Sequence, residues 1–236
     1  MAIHIQTLKT RSLTAIIFSL VMLSGLLLNG YLFLTLFTIV LLGALYELSK
    51  IAKLIAGNHF YYFLPLALVY IILPLMLLVD LGMRGQFYLY HTKDIQSGID
   101  AYLPILPCVI VFSIWINDTM AYLVGSLIGK TPFSVISPKK TWEGTIGGIV
   151  LSVAIIGWLC SNLAFLQSIH WIHWVLIAAI ASVTGTVGDL FESKLKRLAN
   201  IKDSGHFMPG HGGFLDRFDS LLLATPFVWL YVQLFL

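Results

Sequence analysis

Carboxylates, cations and glycines are concentrated in residues 189–220 of this sequence, which read DLFESKLKRLANIKDSGHFMPGHGGFLDRFDS and hold five acidic and five basic residues. A second polar segment, residues 131–144, reads TPFSVISPKKTWEG and contributes Lys139 and Lys140. Mg²⁺ prefers oxygen ligands and commonly takes one or two carboxylates, with substrate phosphates completing its shell. Lysine and arginine supply the complementary positive charge for phosphates. The two segments together therefore indicate phosphoryl or nucleotidyl transfer.

The spacing of the polar side chains in residues 189–220 predicts two acidic helix ends. Four residues fall at i, i+3, i+4 and i+7 of a continuing helix: Asp189, Glu192, Ser193 and Lys196. Asp216 and Asp219 are also about one helical turn apart. Residues 209–213, PGHGG, predict a loop, because proline lacks an N–H donor and glycine permits positive φ angles. Such a loop could return the chain so that both acidic ends form one oxygen-rich pocket, whereas cysteine and histidine are not grouped for zinc.

The composition indicates the environment of this site. Of 236 residues, 58% are hydrophobic and 11% are charged, the mean hydropathy is +0.91 and the net charge is +3. Soluble globular proteins carry about 25% charged residues, so that class is excluded. Disordered chains combine low hydrophobicity with high net charge, and two cysteines are too few for a disulfide scaffold. We therefore predict an integral membrane protein that acts on a lipid.

Seven apolar runs are candidates for membrane spans, since a hydrocarbon core about 30 Å thick is crossed by roughly 20 residues of helix. They cover residues 13–28, 31–48, 60–79, 102–127, 146–166, 172–189 and 221–236. Because the runs are continuous rather than alternating, they predict an all-α bundle of about seven transmembrane helices. Neither an internal repeat nor a long linker is visible. We expect a single membrane domain over residues 1–236, with catalytic segments at about 129–145 and 189–220.

The basic residues are distributed unevenly over the two sides that these spans define. Twelve of the 14 fall on one side, and only Arg84 and Lys93 fall on the other. Cytoplasmic loops carry an excess of lysine and arginine, so we expect the N-terminus and both polar segments to face the cytoplasm, in a bacterial inner (cytoplasmic) membrane. Asp118 lies within the fourth span, where an ionisable residue is costly and is functional by default.

Several of these residues also have plain structural interpretations. Single lysines and arginines at a cytoplasmic face commonly set topology or contact lipid headgroups. His211 could act on a phosphate or hold its loop by hydrogen bonds, and Glu47 and Lys50 are spaced for a surface pair on one helix. A transporter would also place Asp118 and Asp189 in a membrane cavity, but it is expected to show paired repeats and charges near the midplane.

The second segment is similar to the signature of the phosphatidate cytidylyltransferases, also called CDP-diacylglycerol synthases. The shared pattern occupies 27 positions and consists of Ser193, Lys196-Arg197, Lys202-Asp203, Gly205, Pro209, His211-Gly212-Gly213, Asp216-Arg217 and Asp219. Two further stretches agree: residues 136–144, and Asp118-Thr119 followed by Ala121-Tyr122 and Gly125. Ser126 departs from the basic residue expected at its position. The resemblance covers residues 118–220.

This resemblance implies transfer of CMP from CTP to phosphatidate with Mg²⁺ as cofactor, and it leaves a second metal or a monovalent cation open. It implies Asp189 and Asp216 as metal ligands. The residues expected to act in catalysis are Lys139, Lys140, Lys196, Arg197, Lys202, Asp203, His211 and Arg217. Those expected to bind substrate are Asp118, Ser193, Gly212, Gly213 and Asp219. The expected partners are CTP and phosphatidate in the bilayer, with no nucleic acid, and a homodimer is one option. A cytidylyltransferase or kinase acting on an isoprenoid lipid is the alternative, because its apolar spans would look similar.

Overall fold

A computed structural model describes residues 5–90, 99–134, 136–167, 169–207 and 212–236 of the chain. Within these ranges the chain forms helices joined by loops, and its β-type pairing is limited to an isolated bridge between Pro132 and Thr141. The prediction of an all-α helical bundle is confirmed.

The first two helices form a hairpin. α1 spans Ile5–Leu27 and α2 spans Gly30–Ala56. The Asn29 side chain caps α2 by accepting a hydrogen bond from the Leu32 N–H at 2.9 Å. Asparagine is favoured at this position because its side-chain oxygen satisfies an N–H that has no partner within the helix.

A break at Gly57 sends the chain back along α2. Gly57 adopts a φ of 54°, which favours glycine, and a 3-10 helix covers Gly57–Phe63. The returning segment comprises α3 (Leu64–Ala67), a π-helical turn (Leu68–Ile72) and α4 (Leu73–Met83). Gly82, near the end of α4, packs against the ring of Phe33 near the start of α2. The two helices therefore run antiparallel.

The C-terminal part of the chain carries the two polar segments. Its helices are α5 (Gly85–Tyr90), α6 (Ile105–Ile128), α7 (Trp142–Asn162), α8 (Trp171–Leu198) and α9 (Leu215–Phe235), with 3-10 turns at Ile99–Ala101 and Ala164–Leu166. α8 continues well past the predicted span end at Asp189, as the acidic spacing requires. α9 begins before Leu221, so Asp216 and Asp219 lie in its first turns.

Five helical stretches among the described residues are long and apolar enough to cross a membrane: Gly30–Met83 taken as one stretch, α6, α7, α8 and α9. Residues Ser12–Leu27 of α1 form a shorter apolar helix. Many large apolar side chains point outward, as expected where lipid is the solvent, for example Leu127 at 81% exposed. The chain is an integral membrane protein, while seven crossings and a cytoplasmic N-terminus stay predictions.

Small residues allow the helices that carry the site to approach each other closely. Gly188 of α8 lies against the backbone carbonyl of Asp219 on α9, where an added methyl group would be 2.5 Å from the carbonyl oxygen. Gly148 of α7 lies in the same way against the backbone of Asn117 and Ala121 on α6. Close backbone approach through small residues is typical of helix pairs in membranes. The contact at Gly188 places the end of the predicted sixth span directly beside the start of α9.

Candidate active site

A polar cleft of about 530 Å³ opens where the ends of α6, α7, α8 and α9 meet the loop between α6 and α7. Its charged lining residues are Asp118, Lys139, Lys140, Asp189, Asp216, Arg217 and Asp219. Each of these was a candidate from the sequence. The fold therefore brings together three polar segments that are separate in the chain.

Three carboxylates converge beside this cleft, and two of them, Asp189 and Asp219, line it. Asp189 and Glu192 lie one turn apart on α8, and Asp219 faces them from α9. One oxygen of each lies within 4.8 Å of the others. Glu192 is 0% exposed and Asp219 is 8% exposed. We call Asp189, Glu192 and Asp219 the acidic trio.

Glu192 leaves one carboxylate oxygen of the acidic trio without a partner among the described residues. Its Oε2 is ion-paired with Lys196, whereas its Oε1 is buried and has no hydrogen-bond partner among the described residues. Buried carboxylate oxygens normally have such a partner, because an unpaired one costs stability. A divalent cation that prefers oxygen ligands would satisfy it, so the donor set fits Mg²⁺.

Asp216 lies beside the acidic trio but has a different set of partners. Its Oδ2 accepts hydrogen bonds of 2.8 Å from the Ser204 N–H and the Gly213 N–H, and it lies 2.8 Å from the Ser204 Oγ. Its Oδ1 is 2.5 Å from the Nζ of Lys196. Asp216 therefore holds Ser204 and Gly213 next to the start of α9. Residues 209–211 of the predicted loop 209–213 lie outside the described residues. Its predicted role as a metal ligand stays a prediction, and it would act through Oδ1 in place of the lysine.

Lys140 connects the loop between α6 and α7 to the acidic trio by an ion pair with Asp189. The carboxylate of Glu143 holds the start of this loop, since it accepts hydrogen bonds from the Lys130 N–H and from the N–H and hydroxyl of Thr131. Lys139 is exposed at the rim of the cleft. Two lysines thus face the carboxylates from a loop with a fixed start.

The remaining candidates fall into two groups. Ser193 donates a long hydrogen bond of 3.5 Å to Asp189, and Gly212 and Gly213 pack against the carboxylates of Asp216 and Glu47. Arg197, Lys202 and Asp203 are exposed and lie outside the lining of the cleft. His211 lies outside the described residues. The catalytic and substrate-binding roles of these residues stay predictions.

Comparison with known proteins identifies the family. The family model described as Cytidylyltransferase family matches residues 87–235, which include the whole cleft. The chain belongs to the cytidylyltransferase family. It is 34% identical to the phosphatidate cytidylyltransferase of Staphylococcus haemolyticus, over 93% of this chain and 96% of that protein. It is 32% identical to the phosphatidate cytidylyltransferase of Aquifex aeolicus, over 83% of this chain and 82% of that protein.

Other members of the cytidylyltransferase family match over less of their length. The chain is 43% identical to the chloroplastic phosphatidate cytidylyltransferase 4 of Arabidopsis thaliana, but the match spans 29% of that protein. For the phosphatidate cytidylyltransferase of Bacillus subtilis, the identity is 36% and the match spans 58% of the protein. The resemblance seen in the sequence motifs is confirmed at the level of the family.

Two glutamates near this cytidylyltransferase site have roles that the sequence reasoning did not assign. Glu192 was placed on the face of Asp189 but not among the site residues, although its spacing was the signal. Glu47 was interpreted as half of a surface pair with Lys50, and that interpretation is wrong. Glu47 is 4% exposed and contacts Ser204, Phe214 and Leu215 by hydrogen bonds, while the Lys50 Nζ lies 4.3 Å from the centre of the Tyr46 ring.

Proposed function

We propose that the chain transfers CMP from CTP to phosphatidate, which yields CDP-diacylglycerol and pyrophosphate. The observation that carries the proposal is the buried acidic trio facing Lys140 in a cleft of a membrane bundle. Membership of the cytidylyltransferase family supports it, as do relatives that bear the name phosphatidate cytidylyltransferase and align over most of the chain.

The reaction requires little covalent chemistry from the protein. A phosphate oxygen of phosphatidate attacks the α-phosphorus of CTP, a new P–O bond forms, and the bond to the β-phosphate breaks, so that pyrophosphate leaves with the electron pair. Because the lipid phosphate is already an anion near neutral pH, an activated serine, cysteine or general base is not needed. The main obstacle is the repulsion between two polyanions, which grows in a site of low dielectric constant.

The residues of the cleft are suited to reduce this repulsion. Bound Mg²⁺ would shield the phosphates and orient an in-line displacement. Asp189, Glu192 and Asp219 would hold it, and Asp216 would contribute Oδ1 where Lys196 turns toward a phosphate. Lys139, Lys140 and Arg217 line the cleft and would bind the phosphates of CTP. Positioning and fixed positive charge therefore account for catalysis.

A second, smaller cavity adjoins the main cleft and shares Asp118 and Asp219 with it. It measures about 110 Å³ and is lined by Phe18 and Met22 of α1 and by Trp115 of α6, together with Asp118 and Asp219. Apolar and acidic side chains thus meet in one cavity beside the main cleft. The acyl chains would stay in lipid while the phosphate reaches the acidic trio, with the site at the cytoplasmic face of a bacterial inner membrane.

A pyrophosphate-release assay on the purified protein in lipid nanodiscs tests the proposal. We expect equal amounts of pyrophosphate and CDP-diacylglycerol with CTP, phosphatidate and Mg²⁺, and none with EDTA or with ATP, GTP or UTP in place of CTP. If the protein turns over only an isoprenoid lipid phosphate, that lipid and not phosphatidate is its substrate. Ion or solute flux in proteoliposomes without nucleotide turnover would favour a transporter and overturn the proposal.

A further inference from the structure

Glu47 is buried on α2, far in sequence from the polar segments, and its carboxylate holds the start of α9. Its Oε1 accepts a hydrogen bond from the Phe214 N–H at 2.9 Å. Its Oε2 accepts a hydrogen bond from the Leu215 N–H at 2.9 Å and lies 2.8 Å from the Ser204 Oγ, whose one proton is donated either to Glu47 or to Asp216, which also lies 2.8 Å away. Both oxygens are therefore used as acceptors.

These bonds replace a cap that α9 lacks. The N-cap residue of α9 is Phe214, whose side chain makes no capping hydrogen bond. The first N–H groups of a helix have no partner within it, and a negative charge is stabilising there because of the helix dipole. The Glu47 carboxylate, on α2, supplies both the hydrogen-bond acceptors and the negative charge. The start of α9 thus depends on α2.

The hydroxyl of Ser204 links Glu47 to the catalytic cleft. Its Oγ lies 2.8 Å from Glu47 Oε2 and 2.8 Å from Asp216 Oδ2. Asp216 in turn bonds to Gly213 and to Lys196, which is ion-paired with Glu192. A chain of direct contacts therefore runs from Glu47 to the acidic trio.

Close packing around the carboxylate leaves little room for another arrangement. A methyl group on either Gly205 or Gly213 would overlap the Glu47 carboxylate. Gly43, one turn earlier on α2, lies against the ring of Phe214 in the same manner. Gly205, Gly213 and Phe214 thus pack against one face of α2.

We propose that Glu47 is a positioning residue, which fixes residues 213–215 at the start of α9 and, through Ser204, the orientation of Asp216 beside the acidic trio. The effect on turnover rests on the proposed function, whereas the effect on residues 213–215 does not. A glutamine at this position has nearly the same size but one acceptor oxygen, so its NH₂ group would face a backbone N–H.

Hydrogen exchange in nanodiscs tests the positioning without any substrate. We expect the Glu47→Gln protein to exchange the amides of Phe214 and Leu215 at least about tenfold faster than the wild type, because their acceptor is weakened. The amides of Lys130 and Thr131, which are held by Glu143, serve as the internal control and keep their rates. Lys50→Gln, a charge change on an exposed side chain of the same helix, is the matched control variant. Wild-type exchange of Phe214 and Leu215 in Glu47→Gln would overturn the proposal.

Steady-state kinetics test the consequence for the site. We expect Glu47→Gln to lower kcat about 10- to 100-fold, and to raise the Mg²⁺ concentration for half-maximal activity about tenfold. The KM for phosphatidate should stay within about twofold of the wild type, because the variant removes no substrate contact. Glu47→Asp, which keeps the charge and both acceptors, should recover part of kcat, and Lys50→Gln should behave as the wild type.

A double-mutant cycle tests whether the effect passes through Ser204. Ser204→Ala should lower kcat, and the Glu47→Gln/Ser204→Ala protein should be no worse than the poorer single variant, since coupled residues are not additive. Additive losses would overturn the link through Ser204. Fast exchange combined with wild-type kcat and Mg²⁺ dependence would overturn the positioning role. A wild-type protein that does not use phosphatidate would refute the proposed function, and the exchange result would stand by itself.

Discussion

Two polar clusters lie at opposite ends of α9 and are satisfied to different degrees. The first consists of Asp80, Arg84, Tyr88, Trp229 and Gln233, and we call it the Asp80 cluster. Asp80 Oδ2 accepts hydrogen bonds from the Tyr88 hydroxyl at 2.7 Å and the Trp229 indole N–H at 2.8 Å, and Oδ1 lies 3.2 Å from Arg84 Nε. The second is the acidic trio, in which one buried oxygen has no hydrogen-bond partner among the described residues.

We interpret the Asp80 cluster as structural and the acidic trio as the functional cluster of the proposed site. In the Asp80 cluster the charge is balanced and the bonds tie α4 to α9, so the cluster stabilises the bundle. In the acidic trio three carboxylates have two lysine partners, Lys140 and Lys196, and such an excess of like charge is typical of a site that binds a ligand. Substitutions in the two clusters should therefore have opposite consequences for stability and activity.

The largest effect is expected for Asp189→Asn. This change removes one charge of the acidic trio and the partner of Lys140, so kcat for CDP-diacylglycerol formation should fall about 10²- to 10³-fold, the range typical of a lost electrostatic contact. Labelled CTP and thin-layer separation of the lipid product measure it. Turnover near that of the wild type would remove Asp189 from the site and weaken the contrast with the Asp80 cluster.

A smaller loss is expected for Lys140→Gln, because the amide keeps a hydrogen-bond donor but loses the charge that faces the phosphates. We expect kcat/KM for CTP to fall about 100-fold. Lys130→Gln is the matched control, since Lys130 belongs to the same loop but not to the lining of the cleft. Equal behaviour of the two variants would show that general positive charge, and not the position of Lys140, is what matters.

Gly188→Ala tests the spacing of α8 and α9 without changing a charge. The new methyl group would lie 2.5 Å from the Asp219 carbonyl oxygen and force the helices apart. We expect kcat to fall about tenfold through misplacement of Asp219 against Asp189, with a higher Mg²⁺ requirement. Gly157→Ala is the control, because its methyl group would meet only the movable side chain of Val175. Identical kinetics of both variants would contradict the role given to the α8–α9 contact.

The smallest effects, and the sharpest contrast in sign, are expected in thermal unfolding with EDTA present. Asp219→Asn should stabilise the protein by about 1 kcal/mol, since it relieves repulsion among carboxylates. Asp80→Asn should destabilise it by about 1–3 kcal/mol, because an amide N–H₂ would face the donors of the cluster, while kcat per folded molecule stays unchanged. Shifts of the same sign in both variants would contradict the division into structural and functional clusters.

The broad organisation could be predicted from the sequence because it depends on composition and local spacing. Low charge content and long apolar runs are sufficient for a helical membrane bundle. The spacing of Asp189 and Glu192 placed both on one face of a helix, and that helix does continue to Leu198. The motif resemblance led to the family that the comparisons confirm.

Other features could not be predicted because they depend on how distant helices pack. Asp216 and Asp219 lie one turn apart, and their spacing made both equally good candidates to join Asp189. Asp219 joins the acidic trio, whereas Asp216 bonds to Ser204, Gly213 and Lys196. The rotation of α9 against α8 decides between them. Local spacing contains no information on that rotation.

The contacts of Glu47 are the clearest case that local spacing could not predict. Its nearest charged neighbour in sequence is Lys50, and i, i+3 spacing favoured a surface pair, yet its partners are Ser204, Phe214 and Leu215. Residue types and short-range periodicity determined the membrane class, the helices and the set of ionisable residues available for chemistry. Only the packing of α2, α8 and α9 decided which carboxylates converge in the acidic trio and which hold the backbone, because those contacts join residues far apart in the chain.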